Sequence, residues 1–296
     1  MFREPVETLP DGLARVTGPI RPFDLLYIRA LGTLLDQPID DYYLVGSTGQ
    51  LSLGPAYGSV DLAGVELDQT NALIEKHLRS VLARPEVKVK RKGRITQWLC
   101  AVVPKAPYRI EIGDRLHVNV RNTLLNLPIN GDYEVEESGS IDLAFYGDPV
   151  VKGQTFDEAE ATILKLLKKT LHSPEVAVTM PQWILAQAPL PKRSDRVAPG
   201  DLLKIDVLNT LLDAPIADIF VVEPAGTIQL GPAYGRVSIG GMTLHEAEKA
   251  IEKHLKQVLI RPQVAVSWAG WKRLDSKPKL EIPDGPFSGR QTAYES

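Results

Sequence analysis

Three stretches of the chain repeat one another, and a repeat constrains a fold more than any local propensity does. Thr33-Leu34-Leu35-Asp36-Gln37-Pro38-Ile39 returns as Thr123-Leu124-Leu125-Asn126-Leu127-Pro128-Ile129 and again as Thr210-Leu211-Leu212-Asp213-Ala214-Pro215-Ile216. Leu53-Gly54-Pro55-Ala56-Tyr57-Gly58 returns unchanged as Leu230-Gly231-Pro232-Ala233-Tyr234-Gly235. Residues 22–89 and 199–266 align without a gap at a constant offset of 177, with 35 of 68 positions identical. A match of that length implies duplication. The middle copy, residues 108–178, keeps the skeleton but is one residue shorter at the second motif, where it reads Leu143-Ala144-Phe145-Tyr146-Gly147.

Each copy has the same order of local signals. A turn opens it at Pro199-Gly200-Asp201, with Ile112-Gly113-Asp114 and Pro22-Phe23-Asp24 as variants. Proline pre-sets φ, glycine tolerates positive φ, and the aspartate can accept backbone N–H bonds. Alternating stretches such as Leu203-Lys204-Ile205-Asp206-Val207 then predict a half-buried strand. A second strand, a hairpin and a short fourth strand follow. Thr155-x-x-Glu158 and Thr243-x-x-Glu246 are capping boxes that open a helix, whereas the first copy has Glu66 and Gln69 there and a weaker start. Leu244, Ala247, Ile251 and Leu255 form one apolar stripe. The helices stop before Pro85, Pro174 and Pro262, and an alternating strand closes each copy. One striped helix must bury that stripe on a sheet. The fold class is therefore α+β: three tandem modules, each a mostly antiparallel sheet of about five strands packed on one helix, β-grasp-like.

The boundaries follow: an N-terminal segment at 1–20, modules at 21–90, 108–180 and 196–271, linkers at 91–107 and 181–195, and a flexible tail at 272–296. The linkers are semi-apolar (Trp98, Leu99, Val102; Trp183, Ile184, Leu185), so they pack on a module or add strands. Trp98, Trp183, Trp268 and Trp271 seal the module seams. The net charge of −3 excludes a general nucleic-acid binder, which needs a basic face. Cys100, the only cysteine, lies among apolar neighbours and reads as an inert buried thiol. No signal peptide and no transmembrane segment is present.

The search for chemistry yields little. His77, His117, His172, His245 and His254 make no metal spacing, and no cofactor motif is present. Asp24, Asp114 and Asp201 recur once per module, so Asp24, Gly113, Asp114, Pro199, Gly200 and Asp201 read as turn structure and Thr155, Glu158, Thr243 and Glu246 as caps. General acid–base catalysis would instead need two carboxylates converging on one pocket. Tyr57, Tyr146 and Tyr234 sit at turns, where a tyrosine can stack on a sugar or anchor an interface, or can pack over the turn glycine. With Arg236 they are the candidate ligand or interface residues.

The fixed order of Gly-Asp-x-Leu-x-Ile-x-Val, Gly-x-Ile-x-Leu, Gly-x-Thr-x-x-Glu-Ala and Pro-x-Val-x-Val, carried by Arg196 to Val266 and by Tyr108 to Val178, resembles the polysaccharide biosynthesis/export family. That resemblance implies a non-enzymatic component of bacterial capsule or exopolysaccharide export, periplasmic or outer-membrane associated. It implies a homo-oligomer (a ring is one form), polysaccharide as cargo and an inner-membrane export or polymerisation partner. No acylatable cysteine lies near the start and no amphipathic helix follows Trp271, so a periplasmic scaffold or the soluble part of a larger exporter is expected. Two other readings compete: a generic scaffold or adhesive array with no role in glycan transport, and a polysaccharide hydrolase built on the Gly-Asp carboxylates.

Overall fold

The computed structural model describes residues 13–180, 184–192 and 195–271. The first copy runs β1 (Leu13–Ala14), β2 (Asp24–Leu31), β3 (Asp40–Leu44), β4 (Gln50–Ser52), β5 (Ser59–Asp61), α1 (Leu67–Leu78) and β6 (Glu86–Ile95). After β7 (Trp98–Ala101) comes the second, with β8 (Arg115–Leu124), β9 (Leu127–Glu134), a 3-10 turn at Ala144–Tyr146, α2 (Phe156–Leu167) and β10 (Glu175–Thr179). β11 (Leu185–Ala188) leads into β12 (Leu202–Leu208), β13 (Ala217–Val221), β14 (Thr227–Gln229), β15 (Arg236–Ser238), α3 (Leu244–Leu255) and β16 (Gln263–Trp268). The architecture is mixed α/β, with three helices and several small antiparallel sheets among the described residues.

In every copy the first long strand is central, paired antiparallel with the second strand on one side and the last on the other. The orders are β3-β2-β6, β9-β8-β10 and β13-β12-β16, with β1 added at the end of β6. The expected five-stranded sheet is not formed. β4 and β5 pair only with each other, as do β14 and β15. In the middle copy this ribbon shrinks to a single bridge, Ser140 to Val150. The ribbons are three residues long per strand. Their apolar pairs, Leu51 with Val60 and Ile228 with Val237, are buried in the core, so side-chain burial holds the ribbon without edge bonds to the main sheet.

Each helix lies on the last strand of its copy. Val87, Val178 and Val266 donate their backbone N–H to helix side chains, Glu75, Glu160 and Glu248 respectively, which fixes the strand edge beneath the helix. Both capping boxes form: Thr155 N donates to Glu158 Oε2 and Thr243 N to Glu246 Oε2, each at 2.8 Å. Glu66 at the start of α1 makes no side-chain cap bond. Asn122, at the register break of β8, and Asn209, just past β12, take a φ of 61° and their side chains donate to the Ser173 and Arg261 carbonyls at 2.8 Å. Gly32 holds that place in the first copy, and a Cβ there would come within 2.9 Å of the Arg84 carbonyl oxygen.

The copies contact one another in an order different from their order in the chain. The last strand of the second, β10, meets the hairpin strand β14 of the third, and the last strand of the third, β16, meets β4 of the first. The row in space is second, third, first. The far face of the first sheet, Leu25, Tyr27 and Tyr42, shares one core with the third copy and with Trp98. The linkers are not tethers. β7 and β11, one from each, pair antiparallel from Leu185–Ala101 to Ala188–Trp98, and Ala101 packs with Leu202 and Ala269 of the third copy. Cys100 lies in β7 and is half-buried, so the fully buried thiol expected from its neighbours is not found. Trp183 and the tail from residue 272 lie outside the described residues. No helix among the described residues is long and apolar enough to cross a membrane.

Candidate functional site

The repeated aspartates sit where the chain enters each central strand. Asp24, Asp114 and Asp201 each accept the backbone N–H of the residue three before: Arg21 at 3.1 Å, Glu111 at 2.6 Å and Ala198 at 2.7 Å. Their surroundings differ. Asp24 is fully buried and takes Arg94 Nε at 2.8 Å, with Arg91 at 3.6 Å. Asp114 accepts the Tyr108 hydroxyl. For Asp201 burial pushes the carboxyl up to about 6, against the pull of the Ala198 N–H and with Asp195 adding to the rise. The turn glycines Gly113 and Gly200 have φ of 86° and 90°, and a Cβ on Gly200 would stand 2.5 Å from the Ala101 carbonyl oxygen. Pro199 sets the turn just before.

Tyr57, Tyr146 and Tyr234 are buried. A sugar cannot stack on their rings. Each hydroxyl instead bridges the two sides of the Thr-Leu-Leu loop of its own copy. Tyr57 accepts from Leu34 N at 2.9 Å and donates to the Gln37 carbonyl at 2.7 Å. Tyr146 does so with Leu124 and Leu127, and Tyr234 with Leu211 and Ala214. His77 and His254 bond the Tyr57 and Tyr234 carbonyls at 2.7 and 2.6 Å, tying helix to clamp. In the middle copy Leu166 takes the histidine's place and packs near Gly147. What the clamps present was missed in the sequence: Leu35, Leu125 and Leu212 stand at the loop tips, each fully exposed. The readable signal was an apolar residue kept three times inside a turn motif with no periodic partner.

Arg236 lies in the seam between the second and third copies. Its Nη1 is 2.6 Å from Asp157 Oδ1 and 3.0 Å from Glu160 Oε1, its Nε is 2.6 Å from Glu223 Oε2, and its Nη2 donates to the Val178 carbonyl at 2.7 Å. Gln229 Nε2 adds a bond to Glu160 Oε1 at 2.7 Å. Burial pushes the Glu160 carboxyl up, while Arg236, the Val178 N–H and Gln229 pull it down. Burial would lower the Arg236 pKa, but Glu223, Glu160 and Asp157 outweigh it and the net shift is upward. This guanidinium is a charged rivet within the chain.

The sister seam, between the third and first copies, is open. It encloses a cleft of about 830 Å³ lined from both sides. No group of three or more metal-ligating side chains occurs among the described residues.

The sequence model of the polysaccharide biosynthesis/export proteins matches residues 102–181 and 190–269, more than half the chain. The chain belongs to the polysaccharide biosynthesis/export protein family. Both matches fall on the second and third copies of this export protein, and each takes in one Gly-Asp turn, one Tyr-clamped loop and one capped helix. The first copy is outside the match and is tied to the third through their shared residues and strand order. A search of curated proteins found no significant match.

Proposed function

We propose that the protein is a non-enzymatic structural component of bacterial capsule or exopolysaccharide export, which acts by assembling with copies of itself and by docking glycan or an export partner. In this reading the first copy is a third export-type module, all three are β-grasp-like, and the protein works in the periplasm or against the outer membrane. Family membership supports the role in polysaccharide export. The observation that carries assembly is the set of three clamped loops. Each uses a buried tyrosine to hold a fully exposed leucine in a fixed place, and a rigid apolar tip loses little entropy when a second surface covers it.

The repeated carboxylates support a role without turnover, because each is occupied by the N–H of its own turn in its own copy. Light scattering of the full-length chain, with electron microscopy, tests assembly: a multimer is expected, and a strict monomer at every concentration counts against it. Deleting the gene from its host is expected to abolish surface polysaccharide while leaving intracellular precursor synthesis intact. Unchanged surface polysaccharide would remove the export role.

A further inference from the structure

The two seams are built alike but filled differently. In the seam between the second and third copies, Glu223, Gln229 and Arg236 of the hairpin side fill the space against α2 and β10. At an offset of 177 the first copy has Gly46, Ser52 and Ser59 at those places. All three line the cleft against α3 and β16. The clamp has been reduced to small residues, and the cavity lies where its side chains would be.

The opposite wall keeps two of the three acceptors; in the place of Asp157 it has His245, whose Nδ1 lies 3.4 Å from Glu248 Oε2. Glu248 corresponds to Glu160 and accepts the Val266 N–H as Glu160 accepts that of Val178. Val266 corresponds to Val178, whose carbonyl takes a guanidinium N–H in the sister seam. Asp41 and Asp206 add carboxylates, with Lys204 Nζ at 3.4 Å from Asp206 Oδ2. Tyr43 is half-buried on the first copy's wall, and burial, with Asp41 and Asp206 beside it, pushes its phenol up, so it stays a donor at neutral pH. An acidic cleft with an aromatic wall and several hydroxyls repels anionic sugars and suits a saccharide that brings its own donors.

We infer that the cleft between the third and first copies holds an amine-bearing saccharide segment, with its ammonium group at Glu248 and the Val266 edge where Arg236 sits in the sister seam. Only the choice of a glycan as ligand rests on the export reading.

Calorimetric titration of the full-length protein with a tetramer of β-1,4-linked glucosamine tests the site, beside the N-acetylated tetramer and a tetrameric uronate. The glucosamine tetramer is expected to bind, the N-acetylated one about tenfold more weakly and the uronate not at all. Ser59→Arg, which rebuilds the plug of the sister seam, is expected to abolish binding. Glu248→Gln, which keeps the acceptor for Val266, is expected to weaken it about tenfold. Absence of glucosamine binding overturns the site, as does binding that both variants leave unchanged, equal affinity for the N-acetylated tetramer, or tighter affinity for the uronate. Should Ser59→Arg fail to fold, Glu248→Gln decides. Light scattering and surface polysaccharide in a Ser59→Arg strain separate the two ideas. Lost sugar binding with assembly intact concerns the cleft alone, whereas a monomer or an export-neutral gene deletion strikes the export reading.

Discussion

The seam between the second and third copies and the seam between the third and first place the same strands against each other, yet one is held by charge and the other by apolar packing. In the first, Arg236 gathers Asp157, Glu160, Glu223 and the Val178 carbonyl around one side chain. In the second, Leu25, Tyr27, Tyr42 and Trp98 merge with the core of the third copy, leaving the hairpin side hollow. Duplication therefore conserves a docking geometry more readily than the forces that hold it. Once apolar burial secures a seam, its polar plug is free to become a site.

Breaking each seam gives the largest effects. Arg236→Met leaves the buried Glu223 and the half-buried Glu160 without their cation and is expected to cost about 3–5 kcal/mol in denaturant unfolding. Adding Glu223→Gln to it should recover much of that loss, because the penalty lies in the stranded charge. Trp98→Ala should cost about as much, roughly 3–5 kcal/mol, but no charge substitution nearby should restore it. Equal rescue in both cases would end the distinction between the seams.

Smaller substitutions sharpen it. The third copy stands in the middle of the row, and its Asp201 is half-buried with a carboxyl pushed up to about 6 from an ordinary 3.8. Between those values the folded protein keeps a proton that the unfolded chain has released. Stability therefore falls as pH rises through that window and stays lower above it. Asp201→Asn keeps an acceptor for the Ala198 N–H and should raise the melting temperature at pH 8 but not at pH 4. Thr243→Ala removes one capping box and should cost about 1 kcal/mol, whereas Glu66→Ala, at a helix start without a side-chain cap bond, should change stability by less than about 0.5 kcal/mol. Replacing Leu35, Leu125 and Leu212 together by aspartate should leave the melting temperature nearly unchanged and shift the protein to a smaller species in light scattering. No change in size would separate the loops from assembly.

Much of each copy could be read from local chemistry. The Gly-Asp turns, the two capping boxes and the alternation of the central strands act over a few residues, so they show in sequence. The division of the hairpin from the main sheet did not show, because a three-residue strand alternates in the same way whichever neighbour it bonds. The spatial order of the copies was hidden as well, since Arg236, Glu160 and Glu223 carry no periodic signal and meet only across the fold. Tyr57, Tyr146 and Tyr234 are legible as turn residues. Their role depends on backbone groups some 20 residues away, to which a loop motif gives no clue.

The pairing of β7 with β11 bears on how the molecule would survive damage. Those strands lie on opposite sides of the whole second copy in the chain, so a protease cut anywhere from residue 102 to 184 would leave both fragments hydrogen-bonded to each other. Such a nicked protein should travel as one particle under native conditions and separate only in denaturant. New chain ends could thus be opened in the middle copy without scattering the parts.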